Sequence, residues 1–169
     1  MVHIVIDGYN YINRIRKTPI RDEANMDALR RTVLERMARY KRERPAKITV
    51  VFDAYGGYSP DRHRENYRGI DVVYSREHET ADDVIIGWIR QGKAGLVVVT
   101  SDRAIIDEAK RAGIAFMTPI ALESSLTADR DNYSKDDDDG FAGRTKAGNP
   151  RKLPKKQRKA ARSIAKIKS

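Results

Sequence analysis

Five short apolar runs constrain the fold of this chain more than any other feature. Each run is almost continuously hydrophobic and rich in Val or Ile, which is typical of strands buried on both faces. The runs occupy residues 2–6, 47–52, 70–74, 96–100 and 114–117. Strands of this kind that alternate with helices form a parallel sheet covered by helices on both sides. The sequence therefore predicts an α/β fold with a central, mainly parallel sheet.

Three segments between these runs carry helix signals. Residues 24–43 repeat apolar side chains at three- and four-residue spacing until Pro45 ends the pattern. Thr80 is a typical N-cap, followed by acidic residues, for a helix that continues to Arg90. A third helix is predicted over 103–112, where Gly113 closes it. We expect the polar segments after Asp7 and between residues 54 and 68 to be loops.

The basic residues are concentrated at one end of the chain. The sequence has 34 Lys and Arg against 24 Asp and Glu, and eleven of these bases, but no acid, fall in residues 144–169. Residues 1–143 are therefore close to neutral, with the other 23 bases against 24 acids. A basic segment attached to a near-neutral domain indicates a polyanionic partner.

We expect three parts along the chain. A compact domain covers residues 1–125, an acidic and Gly-rich linker covers 126–150, and a flexible basic tail covers 151–169. Helix formers in the tail favour at most a marginal helix, or one that forms on binding. The tail has three interpretations: RNA or ribosome binding, a solvated segment that aids solubility, or targeting to another compartment.

Composition also narrows the chemistry and the location. The absence of cysteine removes disulfides, thiolate zinc sites and cysteine nucleophiles. No apolar run approaches the length of a membrane span, and the first residues lack a basic region and a cleavage site. We therefore expect a cytoplasmic protein without a membrane partner.

Acidic side chains lie at the ends of the apolar runs. Asp7, Asp53 and Asp102 follow the first, second and fourth runs, and Asp82 or Asp83 opens the helix after the third. The carboxyl ends of parallel strands meet at one edge of a sheet, so these carboxylates are expected to gather there. Gathered carboxylates need protons or a cation, and their oxygens suit Mg²⁺ or Mn²⁺. Each Asp taken alone is equally typical of a cap or a turn.

Four short motifs, in order, resemble the NYN domain. They are Asp7-Gly8-Tyr9-Asn10, Phe52-Asp53-Ala54, Glu79-Thr80-Ala81-Asp82 and Thr100-Ser101-Asp102, all within residues 1–125. The sequence is most similar to the YacP-like branch, which includes ribosome-dependent bacterial endoribonucleases. NYN domains belong to the PIN-like nucleases. The resemblance implies a three-layer PIN-like fold and a metal-dependent endoribonuclease that acts on mRNA near ribosomes.

The resemblance also implies residue roles. The family's metal-binding acids correspond to Asp7, Asp82 and Asp102. Further matching polar positions are Asp53, Asn10 and Ser101. The family pattern favours Asp82 over its neighbour Asp83. One or two Mg²⁺ or Mn²⁺ ions held by these acids would orient a water and neutralise charge on the phosphate.

A loop and the tail are the candidate RNA-binding segments. The loop that starts beside Asp53 interleaves aromatic residues, which stack bases, with arginines, which contact phosphates. Its candidate residues are Tyr55, Tyr58, Tyr67, Arg62, Arg64 and Arg68. The candidates in the tail are Lys152, Lys155, Lys156 and Arg158. The alternative for the loop is a Gly-hinged surface segment with scattered charges.

Other functions fit the sequence less well. A non-catalytic RNA-binding module with the same fold is the main alternative, but it has no need of acids that repel phosphate. A phospho-acceptor receiver domain requires an acidic pair after the first strand, where Asp7 is followed by Gly8. A HAD-type phosphatase requires an aspartate at the position of Tyr9. The Gly-rich fingerprint of dinucleotide-binding and P-loop proteins is absent after the first strand.

Overall fold

A computed structural model describes residues 1–16, 23–54 and 61–133, together with Ile164. The strands are β1 (Val2–Asp7), β2 (Ala46–Phe52), β3 (His63–Tyr67), β4 (Ile70–Tyr74), β5 (Leu96–Val99) and β6 (Ala115–Met117). The helices are α1 (Gly8–Ile15), α2 (Glu23–Glu43), α3 (Ala81–Arg90), α4 (Arg103–Ala112) and α5 (Pro119–Tyr133). The α/β class predicted from the sequence is confirmed.

The strands form one sheet in the order β3-β4-β2-β1-β5-β6. Every neighbouring pair is parallel except β3 and β4, which are antiparallel. The chain adds β2 and β4 on one side of β1 and then crosses over to add β5 and β6 on the other. The carboxyl end of β1 therefore lies at the point where the strand order reverses, which is where open α/β sheets bind their ligands.

Helices cover both faces of the sheet, as predicted. The larger core cluster joins one face of the sheet to α1, α2 and α5, through side chains such as Tyr11, Met37 and Leu122. The second cluster joins the other face to α3 and α4, through Ile85, Ile89 and Ile105. Alternate residues of each strand enter the two clusters, as the two-residue period of a strand requires.

Three elements were missed by the sequence analysis, and two of them correct predicted loops. The segment after Asp7 is α1, a short helix whose buried residues are only Gly8, Tyr11 and Ile12. The segment between 54 and 68 contains β3, whose side chains are almost all exposed and which therefore lacks an apolar pattern. This strand depends on the edge of β4 for its hydrogen bonds. Helix α5 is rich in Ser and Thr, and Leu122 anchors it to the core.

Two observations concern the end of the chain. Helix α5 continues to Tyr133, so residues 126–133 of the expected linker are helical. Ile164 in the basic tail is helical, half-buried and packed against the larger core cluster. Among the described residues, no helix combines the length and the apolar character needed to cross a bilayer.

Candidate active site

Asp7 lies at the carboxyl end of the central strand and is the most buried acid of the site. It is 5% exposed and forms the N-cap of α1, where one carboxylate oxygen accepts from the backbone N–H of Asn10 at 3.2 Å. The other oxygen accepts from the hydroxyl of Thr100 at 3.1 Å. Burial, with smaller contributions from the nearby charges of Asp82 and Asp53, raises the pKa of Asp7 to about 6. Ionisation of Asp7 therefore costs more free energy in the folded protein than in water.

Three more carboxylates interact at the same edge of the sheet. The pKa of Asp82, in the first turn of α3, is raised by burial and then by Asp102, Asp53 and Asp83. The charges of Asp82 and Asp53 act in turn on Asp7. We call the group Asp7, Asp53, Asp82 and Asp102 the acidic edge. The structure thus brings together the four acids that the sequence placed at strand ends.

Backbone N–H groups fix the positions of two of these acids. Asp53 accepts from the backbone N–H of Ala81 at 2.7 Å, which ties the end of β2 to the beginning of α3. Asp102 is the N-cap of α4 and accepts from Ala104 at 2.8 Å and from Ile105 at 3.3 Å. Each acid therefore has the capping role that its sequence position allowed, and it also contributes charge to the acidic edge.

Asp82 and Asp83 are neighbours in sequence but have different surroundings. Asp83 completes a capping box with Thr80, from whose backbone N–H it accepts at 3.0 Å. These hydrogen bonds lower the pKa of Asp83, whereas the pKa of Asp82 is raised. The capping box accounts for Asp83 as a structural residue, and Asp82 is the one whose charge faces the other acids. This placement agrees with the preference for Asp82 at the site.

Thr100 connects two acids of the site, a role that the sequence motif Thr100-Ser101-Asp102 did not reveal. This fully buried residue donates its hydroxyl proton to Asp7 and accepts from the backbone N–H of Asp102 at 3.0 Å. A polar side chain at the end of a strand that is otherwise all Val and Leu was the available signal. Thr100 therefore links Asp7, at the end of β1, to Asp102, the N-cap of α4.

Asn10, Ser101 and Arg14 form a polar network beside the acidic edge. The side-chain oxygen of Asn10 accepts from both the backbone N–H and the hydroxyl of Ser101, each at 2.8 Å. Arg14, on the next turn of α1, donates from Nε to the Ser101 hydroxyl at 2.7 Å. Sequence reasoning missed Arg14 because its place beside Ser101 depends on α1, a helix that it did not predict.

An aromatic group packs under the first turn of α1. Phe52 lies 5.2 Å from the ring of Tyr9 and 5.8 Å from that of Tyr74, and the guanidinium of Arg30 lies over all three rings. Arg30 is 7% exposed and also donates to Asp27 at 2.6 Å. A Cβ atom at Gly8 would overlap the Phe52 ring, so only glycine fits between Asp7 and Tyr9. This packing fixes the backbone that follows Asp7.

The predicted RNA-binding arginines occupy different positions. Arg62 pairs with Glu79, with Nε 2.7 Å from the carboxylate, and the pair raises the pKa of Arg62. Arg64 is exposed on β3, and Arg68 lies over the ring of Tyr67 with its guanidinium 5.6 Å from the ring centre. The remaining candidates lie outside the described residues: Tyr55, Tyr58, Lys152, Lys155, Lys156 and Arg158.

Comparisons with known proteins identify the family. A model of the family described as the YacP-like NYN domain matches residues 4–166. The chain belongs to the YacP-like NYN domain family. The match extends well past residue 125, where the resemblance seen in the sequence motifs ended. Membership makes the protein part of a nuclease family.

The individual YacP proteins share between 20% and 28% sequence identity with this chain. The protein YacP of Bacillus subtilis (strain 168), described as uncharacterized, is 28% identical over 82 residues, which span 48% of each chain. The match therefore covers about half the length of this curated relative. Crystal structures of Rae1 (YacP) from Bacillus subtilis share the fold. A mutant form has a TM-score of 0.64 at 20% identity over 80% of each chain. A second structure has a TM-score of 0.63 at 21% identity, over 80% of this chain and 79% of that one.

The acidic edge of this YacP-like NYN domain has the donor chemistry for a divalent cation. Its ligands are hard carboxylate oxygens, and their mutual repulsion and burial favour a neutralising charge. As the side chains stand, however, no three Asp, Glu or His residues within the described ranges are arranged to hold a metal ion. The chemistry of the donor set suits Mg²⁺ or Mn²⁺.

Proposed function

We propose that this protein is a metal-dependent endoribonuclease that hydrolyses RNA phosphodiester bonds, with mRNA at the ribosome as its substrate. The acidic edge carries the proposal. Four carboxylates from four different connections meet there, and burial with mutual repulsion raises the pKa values of Asp7 and Asp82. A protein that only bound RNA would gain nothing from buried charges that repel phosphate. Perturbed carboxylates at a topological switch point are typical of catalytic sites.

In this proposal Asp7, Asp82 and Asp102 hold one or two Mg²⁺ or Mn²⁺ ions. Such an ion, when bound, lowers the pKa of a water molecule and neutralises charge on the phosphate. Asp53 acts as a positioning residue, because its bond to the Ala81 N–H sets the first turn of α3 from which Asp82 projects. Thr100 has the same role for Asp7 and Asp102.

Asn10 and Arg14 are the proposed phosphate contacts. The Asn10 oxygen is taken by Ser101, so its amide N–H groups are the atoms that would donate to a substrate. Arg14 is exposed, and its bond to Ser101 uses Nε. Its terminal nitrogens would therefore contact a phosphate oxygen, with Ser101 holding the guanidinium in place.

The basic tail supports the assignment of a ribosomal partner. Residues 144–169 carry eleven Lys and Arg and no acid, a composition that binds RNA backbones without regard to sequence. The packed residue Ile164 keeps part of this segment next to the domain. We propose that the tail contacts ribosomal RNA while the acidic edge receives mRNA, which places the protein in the cytoplasm.

The decisive experiment uses translating ribosomes and mRNA, with Mn²⁺ or with EDTA. We expect the wild type to produce discrete new RNA 5′ ends in Mn²⁺ alone, and Asp7→Asn to produce none. Asp107→Asn removes an exposed carboxylate of α4 outside the acidic edge and is the matched control, with wild-type ends expected. Ends that persist in Asp7→Asn or in EDTA would contradict the proposal.

A non-catalytic RNA- or ribosome-binding module is the second candidate. Within the described ranges, no three acidic or histidine side chains are arranged as metal ligands. This arrangement favours the binding module. The same experiment separates the two functions. Absence of metal-dependent ends, with wild type and Asp7→Asn sedimenting equally with ribosomes, would support the binding module.

A further inference from the structure

A polar cavity opens at the end of the sheet opposite the acidic edge. It has a volume of about 210 Å³ and lies near the amino ends of the strands, between the sheet and the last turn of α3. We call it the amino-end cavity. Its polar and aromatic lining consists of the basic residues Lys47, Arg64 and Lys93, the acids Glu65 and Asp71, and the side chains of His3, Thr49 and Trp88.

The sheet beneath the cavity departs from the apolar pattern of its own face. Val5, Val51 and Val73 point to the same face further along the strands and are buried in the second core cluster. Two residues earlier on each strand, this face carries His3, Thr49 and Asp71. This part of the face is only partly covered, because Thr49 is buried and His3 is half-buried, whereas the Asp71 side chain is 43% exposed. A buried polar group costs free energy unless it forms a hydrogen bond, and the partner of Thr49 is His3. These polar groups line an open space and are able to form hydrogen bonds with a ligand.

The lining combines the uncharged side chains of His3 and Thr49 with more exposed charged side chains of both signs, in which the bases outnumber the acids by three to two. His3 lies 2.8 Å from the Thr49 hydroxyl, and burial, then Lys47 and Lys93, lower its pKa to about 4. The imidazole is therefore neutral at physiological pH and able to donate and accept hydrogen bonds. Lys47 and Lys93 are exposed at the mouth, and Lys47 also pairs with Asp71 at 3.5 Å. Trp88 supplies a half-buried indole wall.

We propose that the amino-end cavity binds a nucleotide. The base lies beside Trp88, with its polar edge at His3, Thr49 and Asp71, and the phosphate meets Lys47 and Lys93. The volume is below that of most drug-sized pockets, which suits one planar ring system better than a larger ligand. Indole stacking and ammonium–phosphate contacts are the usual means of holding a single nucleotide. This inference does not depend on the proposed nuclease activity.

The nucleotide has two possible sources, a free mononucleotide or one residue of an RNA strand. Trp88 is the single tryptophan of the chain, so its fluorescence reports on the cavity directly. The test titrates the full-length Asp7→Asn variant in EDTA with AMP, GMP, CMP and UMP, and separately with a short single-stranded RNA. Saturable change with mononucleotides supports a free ligand, and change with RNA alone supports a residue of a strand. Inorganic phosphate is the reference probe.

Variants test whether the cavity is the binding site. Lys93→Ala removes an exposed cation at the mouth, and we expect it to weaken binding by about tenfold. Lys110→Ala is the matched control, because this exposed lysine belongs to α4 and does not line the cavity. His3→Val restores the apolar pattern of the sheet and is expected to abolish binding while the domain stays folded.

Three outcomes would overturn the inference. One is the absence of saturable fluorescence change with every mononucleotide and with RNA. Another is an equal response to inorganic phosphate, which would show that no base is bound. The third is equal affinity of Lys93→Ala and Lys110→Ala. Because these titrations use an Asp7→Asn protein without metal, they have no bearing on cleavage, and failure here is distinguishable from failure of the nuclease proposal.

Discussion

The two ends of the sheet are built from the same strands but carry opposite chemistry. At the carboxyl ends lies the acidic edge, where burial and repulsion raise the pKa of Asp7 to about 6. At the amino ends lies the amino-end cavity, where burial and two lysines lower the pKa of His3 to about 4. Between them the strands are apolar and fully buried. The comparison teaches that, in the buried strands, ionisable groups lie near the strand ends, and that burial at each end opposes the charged form of Asp7 or of His3.

The largest expected effect separates Asp82 from Asp83 at the acidic edge. Asp82→Asn removes a proposed metal ligand and should lower cleavage by about a hundredfold or more. Asp83→Asn changes a fully exposed capping residue one position away and should leave cleavage within about twofold of wild type. The measurement is the rate of metal-dependent RNA cleavage at saturating ribosomes. Equal losses in the two variants would remove the functional distinction between these residues.

The second prediction uses the opposite response of the two ends to acid. The pKa of Asp7 is raised from 3.8 to about 6, so the folded state loses stability as the pH rises from about 4 to 6 and Asp7 ionises. The pKa of His3 is lowered from 6.5 to about 4, so its contribution to stability is lost as the pH falls from 6.5 towards 4. Each pKa shift changes the free energy of unfolding by at most about 3 kcal/mol, and solvent screening makes the change smaller.

Single variants should uncover these two contributions. In EDTA, we expect Asp7→Asn to be more stable than wild type at pH 7 and to lose that advantage on acidification. We expect His3→Val to lack the part of the acid destabilisation that His3 causes. Urea unfolding between pH 4 and pH 7 measures both. If the free energy of unfolding varied with pH in the same way in the wild type and both variants, the contrast between the two ends of the sheet would be contradicted.

The third prediction concerns the packing that supports the acidic edge. Gly8→Ala places a methyl group inside the Phe52 ring and should destabilise the domain by about 1–3 kcal/mol, because Phe52 is fully buried and cannot move aside freely. Gly87→Ala in α3 is the control, since a Cβ atom there meets nothing within 4 Å. The control should be neutral or stabilising by about 0.5–1 kcal/mol. Thermal unfolding of both variants provides the measurement.

The smallest effect tests Thr100 as the link between two acids. Thr100→Val keeps the shape of the side chain but removes the hydroxyl that serves Asp7 and the Asp102 N–H, and should cost about 1–2 kcal/mol. Thr100→Ser keeps the hydroxyl and should recover cleavage, although not all of the packing. Loss of stability without any change in cleavage in Thr100→Val would restrict Thr100 to a structural role.

Much of this protein was determined by local sequence. The apolar runs placed five of the six described strands, and the caps at Thr80 and Gly113 placed helices α3 and α4. The rule that parallel strands end at a common edge predicts from the sequence that Asp7, Asp53, Asp82 and Asp102 lie near one another. The strands, α3 and α4 are predictable because each depends on residue periodicity or on a cap within a few positions.

Tertiary structure alone decided the rest. Strand β3 exists because β4 offers it an edge, and α1 because Tyr11 and Ile12 find a core to enter. The different roles of Asp82 and Asp83 depend on which of them interacts with Asp7, Asp53 and Asp102 from distant parts of the chain. The amino-end cavity brings Lys47, Trp88 and Lys93 to a space that no sequence spacing reveals. Each of these features is stabilised by contacts between residues that lie far apart in the chain. Local sequence patterns do not reveal such contacts.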